Sequence, residues 1–169
     1  KCLLGLKSQI FHSLNVEIEI GIIDNTEGAQ IEAVKVIAQS ISLPIKVAIS
    51  SENIGFGAGH NKLFQEFGTS AAYYLCVNPD GIPHHQLVER LIQVARSNTD
   101  KGIFEARQFP TEHPKVYNMQ SLTTDWCSGC CLLIPRSIYQ ETGGFDEDFF
   151  LYCEDVDLSW RVQLAGYNC

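Results

Sequence analysis

Tyr73-Tyr74-Leu75-Cys76-Val77-Asn78-Pro79-Asp80-Gly81 is the stretch of sequence that decides the fold we expect for this chain. Five apolar or aromatic residues in a row predict a buried strand, and Asn-Pro-Asp-Gly predicts a turn directly after it. This strand is preceded by a strand near 45–50, a loop at 51–59 and a helix from about 60 to 67. Strand, loop, helix and strand in this order are typical of a βαβ unit with parallel strands.

The same alternation of helices and strands continues toward both ends of the chain. On the amino-terminal side, hydrophobic periodicity predicts a helix over 3–14, a strand over 18–23 and a helix over 29–40. On the other side it predicts a helix over 84–97, weaker strands near 102–107 and 130–134, a short helix from about 135 and a last helix over 154–165. These elements predict one α/β domain with a mainly parallel sheet, whose ligands bind at the carboxyl ends of the strands.

The composition excludes several classes of protein. Of the 169 residues, 45% are hydrophobic and 19% charged, which excludes an intrinsically disordered chain. Twelve Lys and Arg residues stand against 20 Asp and Glu residues, so we expect no nucleic-acid partner. The sequence has no apolar run long enough for a membrane helix, and its seven scattered cysteines suit a reducing compartment. We therefore expect a cytoplasmic protein.

Three further features are local. Cys127 and Cys130 have the spacing of half a zinc site, but no second pair accompanies them, which favours core packing. Residues 107–125 predict a long surface loop, a kind of segment that often covers a site or binds an acceptor. The glycines between Gly55 and Gly59 partly match a dinucleotide fingerprint, yet His60 stands where the third glycine belongs. A tight turn is the alternative interpretation.

Two carboxylates are candidates for chemistry. Asp80 follows a predicted buried strand and would hold Mg²⁺ or Mn²⁺, although a simple Pro-Asp-Gly turn explains the same residues. Asp155 falls in the first turn of the last predicted helix, where the helix dipole favours an ionised carboxylate that acts as a general base. Helix capping is the alternative for Asp155 and its acidic neighbours.

Three blocks of sequence together resemble the family 2 glycosyltransferases, particularly the rhamnosyltransferase-like branch. The blocks are Asn53-Ile54-Gly55-Phe56-Gly57-Ala58-Gly59-His60-Asn61, Asn78-Pro79-Asp80, and the acidic segment from Gly143 to Arg161. The resemblance implies a Rossmann-like GT-A fold, a three-layer α/β/α sandwich with a mainly parallel sheet. It also implies a nucleotide-diphosphate-sugar donor, a divalent cation and inversion at the anomeric carbon.

The resemblance also assigns roles to individual residues. Asp80 corresponds to the metal-binding aspartate, with Asn78 in place of the first acid of that motif. Asp155 corresponds to the general base, with Glu154 beside it in the catalytic pair. Asp24 corresponds to the nucleotide-contacting aspartate. The remaining assignments follow the same motifs: Asn53, Gly55 and Asn61 flank the nucleotide sugar, Asn78 is a further residue of the nucleotide-sugar site, and Trp126 and Gly129 shape the acceptor pocket.

The function that the resemblance implies is the transfer of rhamnose or a similar hexose. The donor is dTDP- or UDP-linked, and the acceptor is a saccharide or lipid-linked molecule in cell-surface polysaccharide synthesis. Work at the cytoplasmic face of a membrane, peripheral membrane association and a homo-oligomer are further expectations. The alternatives are a non-catalytic sugar-nucleotide-binding module and, from the glycines alone, an oxidoreductase.

The resemblance carries one expectation about the ends of the chain. Family members begin with a strand that precedes the first helix predicted here, and they continue beyond the position of Cys169. We therefore expect residues 1–169 to be a single catalytic domain that is truncated at both ends.

Overall fold

The computed structural model describes residues 1–41 and 44–169, and these form six helices and five strands. The helices are α1 (Cys2–Lys7), α2 (Ile31–Gln39), α3 (Phe56–Leu63), α4 (Leu87–Ser97), α5 (Arg136–Thr142) and α6 (Glu154–Leu164). The strands are β1 (Ile20–Asp24), β2 (Ile45–Ile49), β3 (Tyr73–Val77), β4 (Phe104–Glu105) and β5 (Cys131–Pro135). A π-helical turn over Phe64–Gly68 extends α3.

The strands form two sheets. β1 and β2 pair in parallel, with Ile20 opposite Ile45. β5 lies between β3 and β4 and is antiparallel to both, with Val77 opposite Cys131. The α/β class is therefore confirmed, but the expected parallel direction applies to β1 and β2 and not to β5.

The direction of β5 has a physical cause in the path of the chain. The backbone N–H of Asn78, just after β3, donates to the carbonyl of Cys130, just before β5. The chain therefore enters β5 at the edge where β3 ends, and it runs back along β3 from there. As a result, the residues that precede β5 lie at the same edge as the turn containing Asp80.

The three-layer arrangement is visible around β5, whose side chains alternate between two faces. Leu132 and Ile134 belong to a core shared with α5, α6 and Phe145, whereas Leu133 packs against α4. All three side chains are at most 2% exposed, so β5 is the buried centre of the sheet. Burial of such apolar side chains is the main contribution to stability, at about 1.5–3 kcal/mol each.

The two sheets are joined by helices. A Cβ atom at Gly21 of β1 would lie 3.3 Å from the Leu63 side chain of α3, so this helix packs closely on β1. The π-helical turn that follows α3 contacts β3 through Phe64 and Tyr74, whose rings are 5.6 Å apart. Leu6 of α1 lies in a cluster that takes in residues of both β1 and β3.

The helix predicted over 3–14 is wrong beyond Lys7, because α4 captures the segment that follows. The carboxylate of Glu89 accepts hydrogen bonds from the backbone N–H groups of His12 and Ser13, at 2.9 and 2.7 Å. The Gln9 side chain bonds the carbonyl of His84 at 2.8 Å. These contacts replace the helical hydrogen bonds of residues 9–13, and tertiary structure thus overrides local periodicity.

The helix predicted from residue 60 begins earlier, at Phe56. Gly57 and Gly59 consequently lie inside α3, where they allow close packing. A Cβ atom at Gly57 would lie 2.9 Å from the Cβ atom of Phe145, and one at Gly59 would lie 3.6 Å from Ile23.

Within the described residues, no helix combines the length and the apolar character needed to cross a membrane.

Candidate active site

The ends of β1, β2 and β3 and the residues before β5 provide the loops of the candidate site. Asn78 joins two of these loops, because its side-chain amide donates to the Sγ atom of Cys130 at 3.4 Å. Asp80 follows two residues later and is exposed to solvent. The carboxylate of Asp80 is thus free to meet a ligand at the edge where β3 ends.

The amino terminus of α6 meets the same edge through residues 126–130, which we call the 126–130 segment. The backbone N–H of Gly129 donates to Asp155 Oδ2 at 2.9 Å, and the N–H of Val156 donates to Oδ1 at 2.9 Å. A carboxylate accepts about four hydrogen bonds, so the half-buried Asp155 keeps acceptor capacity for a further donor. Gly129 and Cys130 are adjacent, which brings Asp155 close to the Asn78 turn.

Glu154 differs from its neighbour Asp155 in exposure. The Glu154 side chain is buried, with 5% exposure, and its Oε2 atom has no hydrogen-bond partner among the described residues. Burial raises the pKa of Glu154 above its usual value, and the adjacent Asp155 charge adds to this effect. Asp155 is therefore the more accessible acid of the pair, and the catalytic role of Glu154 stays a prediction.

The backbone before α6 is strained. Tyr152 and Cys153 have φ angles of 70° and 69°, in the left-handed region that residues other than glycine rarely occupy. Each such residue costs about 1 kcal/mol or more, and this strain persists only where surrounding contacts hold it. One of these contacts is the hydrogen bond from the Phe56 N–H to the Phe150 carbonyl, at 3.1 Å.

Gly55 is the point at which three loops meet. Its carbonyl accepts a hydrogen bond from the Asn25 side chain at 3.1 Å, and its N–H donates to Asn53 Oδ1 at 3.0 Å. Its φ angle is 83°, and a Cβ atom there would lie 2.3 Å from the Phe150 carbonyl oxygen. Glycine is required at this position, because any side chain would push the 149–153 loop away from α3.

Asp24 is buried at the end of β1, and its carboxylate organises the turn that follows. Oδ1 accepts hydrogen bonds from the backbone N–H and the hydroxyl of Thr26, and Oδ2 accepts one from the N–H of Gln30 at 3.1 Å. These bonds, led by that from the Thr26 hydroxyl, lower the pKa of Asp24. The predicted contact between Asp24 and a nucleotide stays a prediction.

Asn61 connects α3 to the segment that leads into α6. Its Oδ1 accepts hydrogen bonds from the Tyr139 hydroxyl at 2.8 Å and the Phe145 N–H at 2.9 Å. Its Nδ2 donates to the Phe145 carbonyl at 2.8 Å and to Glu147 at 3.0 Å. Because both donors and both lone pairs of its amide are used, Asn61 positions this segment, and its predicted contact with a nucleotide sugar is untested.

Trp126 and Gly129, the predicted acceptor residues, both lie in the 126–130 segment. The Trp126 ring is half-buried and covers the ammonium group of Lys115, which is 3.8 Å from the ring centroid. The His113 ring lies beside it, with 5.6 Å between centroids. Gly129 is buried, and a Cβ atom there would lie 3.0 Å from the Phe56 ring.

Asp80 and Asn78 fit the requirements of Mg²⁺ or Mn²⁺. Such hard cations take oxygen ligands, and Mg²⁺ is commonly held by one or two carboxylates together with substrate phosphates. Asp80 supplies an exposed carboxylate, and the bond from Asn78 Nδ2 to Cys130 leaves the side-chain Oδ1 atom of Asn78 available, whereas its backbone carbonyl accepts from the Gly81 N–H. Among the described residues, no three His, Cys, Asp or Glu side chains cluster as a metal site, so the cation would depend on ligand phosphates.

The cysteines carry free thiols, and two surface cavities lie away from Asp80 and Asp155. All seven cysteines belong to the described part of the chain and carry free thiols. A cavity of about 560 Å³ is lined by Asn53 and Lys62 on the outside of α3. A second cavity, of about 690 Å³, lies between residues 116–125 and the end of α6. Neither lining includes Asp80 or Asp155.

Comparison with known proteins gives partial sequence matches and a fold. No protein-family model matches the chain. It is 41% identical over 56 residues to rhamnosyltransferase WbbL of Escherichia coli, which covers 33% of this chain and 21% of that protein. It is 55% identical over 42 residues to N-acetylglucosaminyl-diphospho-decaprenol L-rhamnosyltransferase of Mycobacterium tuberculosis, over 25% of this chain and 14% of that protein.

A solved structure matches most of the described chain. It is mannosyltransferase PcManGT of Pyrobaculum calidifontis in complex with GDP-Man and Mn²⁺, with a TM-score of 0.69 and 14% identity. The match covers 89% of this chain and 44% of that chain. This chain has the GT-A glycosyltransferase fold. The predicted fold and the resemblance to rhamnosyltransferases of family 2 are thus confirmed, although the chain matches less than half the length of these proteins.

Sequence reasoning missed several residues that build the candidate site. Asn25 and Phe150 hold Gly55, and Ser159 of α6 accepts a hydrogen bond from the Cys127 N–H at 2.9 Å. Glu105 and Lys115 flank the 126–130 segment from the other side. Asn25 stands next to Asp24 in a polar turn, which is a signal that sequence reasoning could have used. The other contacts join residues far apart in the chain and leave no local pattern.

Proposed function

We propose that this chain belongs to an inverting glycosyltransferase that moves rhamnose or a similar hexose from a nucleotide-diphosphate donor to an acceptor hydroxyl. The observation that carries the proposal is the pair of contacts at the neighbouring residues Gly129 and Cys130. One joins Gly129 to Asp155, and the other joins Cys130 to the Asn78 turn that precedes Asp80. Displacement of a nucleoside diphosphate from a sugar requires a base and a cation ligand close together, and both candidates lie at one edge of the sheet.

In the proposed reaction, Asp155 accepts the proton of the acceptor hydroxyl. The oxygen then forms a bond to the anomeric carbon while the bond from that carbon to the diphosphate breaks on the opposite face. A divalent cation near Asp80 would neutralise the negative charge that develops on the leaving diphosphate. The Gly129 N–H holds the Asp155 carboxylate in a fixed orientation, which is needed for proton transfer at hydrogen-bond distance.

The names of the relatives suggest the transferred sugar and the acceptor, and the resemblance to family 2 glycosyltransferases suggests the nucleotide. A dTDP- or UDP-linked sugar is the proposed donor, and a lipid-linked saccharide is the proposed acceptor, because a relative from Mycobacterium tuberculosis is named for a diphospho-decaprenol acceptor. Since a polyprenol tail is apolar and resides in a bilayer, we place the reaction at a membrane surface, and the free thiols, which suit a reducing compartment, favour its cytoplasmic face. Cell-surface polysaccharide synthesis is the process that this acceptor suggests.

Asp155→Asn tests the assignment of the base. We expect the variant to bind nucleotide diphosphate within about twofold of the wild-type affinity, while turnover falls by about 10² to 10⁴, the usual contribution of a general base. Asp148→Asn is the matched control, because Asp148 is exposed and lies near the same helix. Binding is measured by calorimetry with UDP or dTDP and Mn²⁺, and turnover by release of nucleotide diphosphate.

Asp80→Asn distinguishes the proposed role of Asp80 in cation binding from the proposed role of Asp155 as the base. This variant should lose the part of nucleotide binding that depends on Mn²⁺, while binding without the cation stays at the wild-type level.

Transfer by Asp155→Asn at the wild-type rate would contradict the assignment of Asp155 as the base. Nucleotide binding by the wild-type chain without any transfer would instead favour the non-catalytic module, and binding of NAD alone would favour the oxidoreductase.

A further inference from the structure

A buried ion pair lies beside the proposed acceptor region, outside the motifs discussed above. Lys115 Nζ is 2.5 Å from Glu105 Oε2, and the two side chains are only 1% and 5% exposed. Lys115 belongs to the long segment 107–125, whereas Glu105 belongs to β4 and pairs with Leu132 of β5. The ion pair therefore fastens a loop to the central sheet.

Both members of the pair also bond the 126–130 segment. Lys115 Nζ donates to the Trp126 carbonyl at 3.1 Å and lies 3.8 Å from the centroid of the Trp126 ring. The Ser128 N–H donates to Glu105 Oε2, the same oxygen that binds Lys115. Charge-assisted hydrogen bonds and a cation–π contact thus hold both the backbone and the ring of this segment.

Helix α6 holds the same segment from the opposite side. The Cys127 N–H donates to Ser159 Oγ, and the Gly129 N–H donates to Asp155. Contacts to the ion pair at Trp126 and Ser128 therefore alternate along the backbone with contacts to α6 at Cys127 and Gly129. If the ion pair releases Trp126 and Ser128, the bonds of Cys127 and Gly129 to α6 must shift as well, because these four residues are consecutive.

We infer that Glu105 and Lys115 are positioning residues that fix the 126–130 segment, and through Gly129 the carboxylate of Asp155. The inference rests on the proposed function for its effect on turnover, but the contacts themselves do not. A buried ion pair often contributes little net stability compared with apolar residues of the same volume. Its directional hydrogen bonds, however, fix geometry, and a misplacement of about 1 Å at a catalytic group costs about 10²-fold in rate.

The long segment contains a second ion pair that serves as a matched control. Arg107 pairs with Glu112 at 2.7 Å, but the Arg107 side chain is 81% exposed and makes no hydrogen bond to the 126–130 segment in the described structure. Replacement of Arg107 by Met removes a cation from the same loop with little loss of burial. We expect Arg107→Met to leave turnover and donor affinity within about twofold of wild type.

Lys115→Met is the primary test. Turnover should fall by about tenfold to a hundredfold, while the affinity for nucleotide diphosphate, whose proposed site lies at the loops after β1 to β3, stays within about twofold. Lys115→Met alone leaves Glu105 charged and buried, so its melting temperature should fall as well. Wild-type turnover in this variant would overturn the inference.

The double variant Glu105→Gln with Lys115→Met separates positioning from stability. Neutralising both partners removes the uncompensated charge, so most of the lost melting temperature should return. Turnover should remain about tenfold or more below wild type, because Met cannot donate to the Trp126 carbonyl. If turnover recovers together with the melting temperature, the pair is merely structural and the inference fails.

Amide hydrogen exchange provides a readout that needs no activity. In Lys115→Met, the amides of Ser128 and Gly129 should exchange at least about tenfold faster than in wild type, while those of β5 keep their protection. Unchanged exchange at both amides would refute the positioning role even if the wild-type chain transferred no sugar. Faster exchange in a chain without transfer activity would support the positioning role and refute only the proposed function.

Discussion

His60 links the packing of α3 to the pH dependence of the protein's stability. Its ring lies between those of Phe56 and Phe145, with centroids 4.5 and 5.8 Å away, and its Nδ1 is 2.9 Å from the Tyr74 hydroxyl. The Tyr74 hydroxyl donates to the His60 carbonyl, so its oxygen is free to accept from Nδ1–H. Burial lowers the pKa of His60 from 6.5 to about 4, which keeps the ring neutral at pH 7.

This lowered pKa predicts a loss of stability in mild acid. The unfolded chain takes up a proton at His60 near pH 6.5, and the folded chain only near pH 4. The stability associated with the neutral ring is therefore complete above pH 6.5 and declines as the pH falls toward 4. Between pH 7 and 5, the free energy of unfolding should decrease by about 1–2 kcal/mol through this residue.

Urea denaturation at pH 7 and pH 5 measures the effect. His60→Gln should lose most of this pH dependence, whereas His85→Gln, at an exposed position, should retain it. Equal pH dependence in His60→Gln and wild type would show that His60 does not control stability in this range. Asp24 and Glu89 have lowered pKa values, so their contributions are lost below about pH 4, outside the measured interval.

At the scale of elements, the approach of the 149–153 loop to the start of α3 depends on Gly55. Gly55→Ala would place a methyl group 2.3 Å from the Phe150 carbonyl oxygen, at a residue whose φ angle is 83°. We expect a decrease in the free energy of unfolding of about 2–4 kcal/mol, from backbone strain and displacement of the loop. Affinity for nucleotide diphosphate should fall too, because Gly55 and its hydrogen-bond partner Asn53 are predicted to flank the nucleotide sugar.

Gly81→Ala is the control for this element. Gly81 lies in the turn after β3, and a Cβ atom there would meet only the Asn78 carbonyl oxygen, at an ordinary 3.5 Å. This substitution should change the free energy of unfolding by no more than about 0.5 kcal/mol. Chemical denaturation of both variants, followed by nucleotide titration, makes the comparison. A Gly55→Ala variant as stable as Gly81→Ala would mean that the loop adjusts freely.

At the scale of the whole molecule, the division into two sheets predicts unequal stability. β5 is buried between two neighbouring strands and two helical layers, whereas β1 and β2 form a two-stranded sheet with partly exposed residues. Isolated two-stranded sheets are marginal, and local opening is cheapest where few apolar contacts must break. We therefore expect β1 and β2 to open more readily than β3 and β5.

Native-state hydrogen exchange tests this expectation across the chain. The most protected amides should be those of β5 and β3, and the hydrogen-bonded amides of β1 and β2 should exchange at least about tenfold faster. A nucleotide diphosphate with Mn²⁺ should reduce this difference in exchange rate, if the loops after β1, β2 and β3 bind the donor as proposed. Equal protection of the two sheets in the free protein would show that they open as one cooperative unit.

The sequence by itself determined the elements whose signals are local. The bounds of β3 agree with the apolar run Tyr73–Val77, and the last helix was predicted to begin at Glu154, where α6 begins. The placement of Asp80 in a turn and of Asp155 in the first turn of α6 was predicted because turn residues and acidic first turns are recognisable over a few positions, whereas their chemical roles stay predictions. Sequence motifs also indicated the GT-A fold, because their order along the chain reflects the order of strand ends in that fold.

Only the tertiary structure decided the features that depend on distant residues. Glu89 ends the first helix early by binding a segment 76 and 77 residues away, and Asn61 bonds residues as far as 86 positions along the chain. The antiparallel direction of β5 and the burial of Lys115 against Glu105 likewise follow from the path of the chain through space. Periodicity and turn chemistry describe neighbours in sequence, whereas these contacts form between groups that only folding brings together.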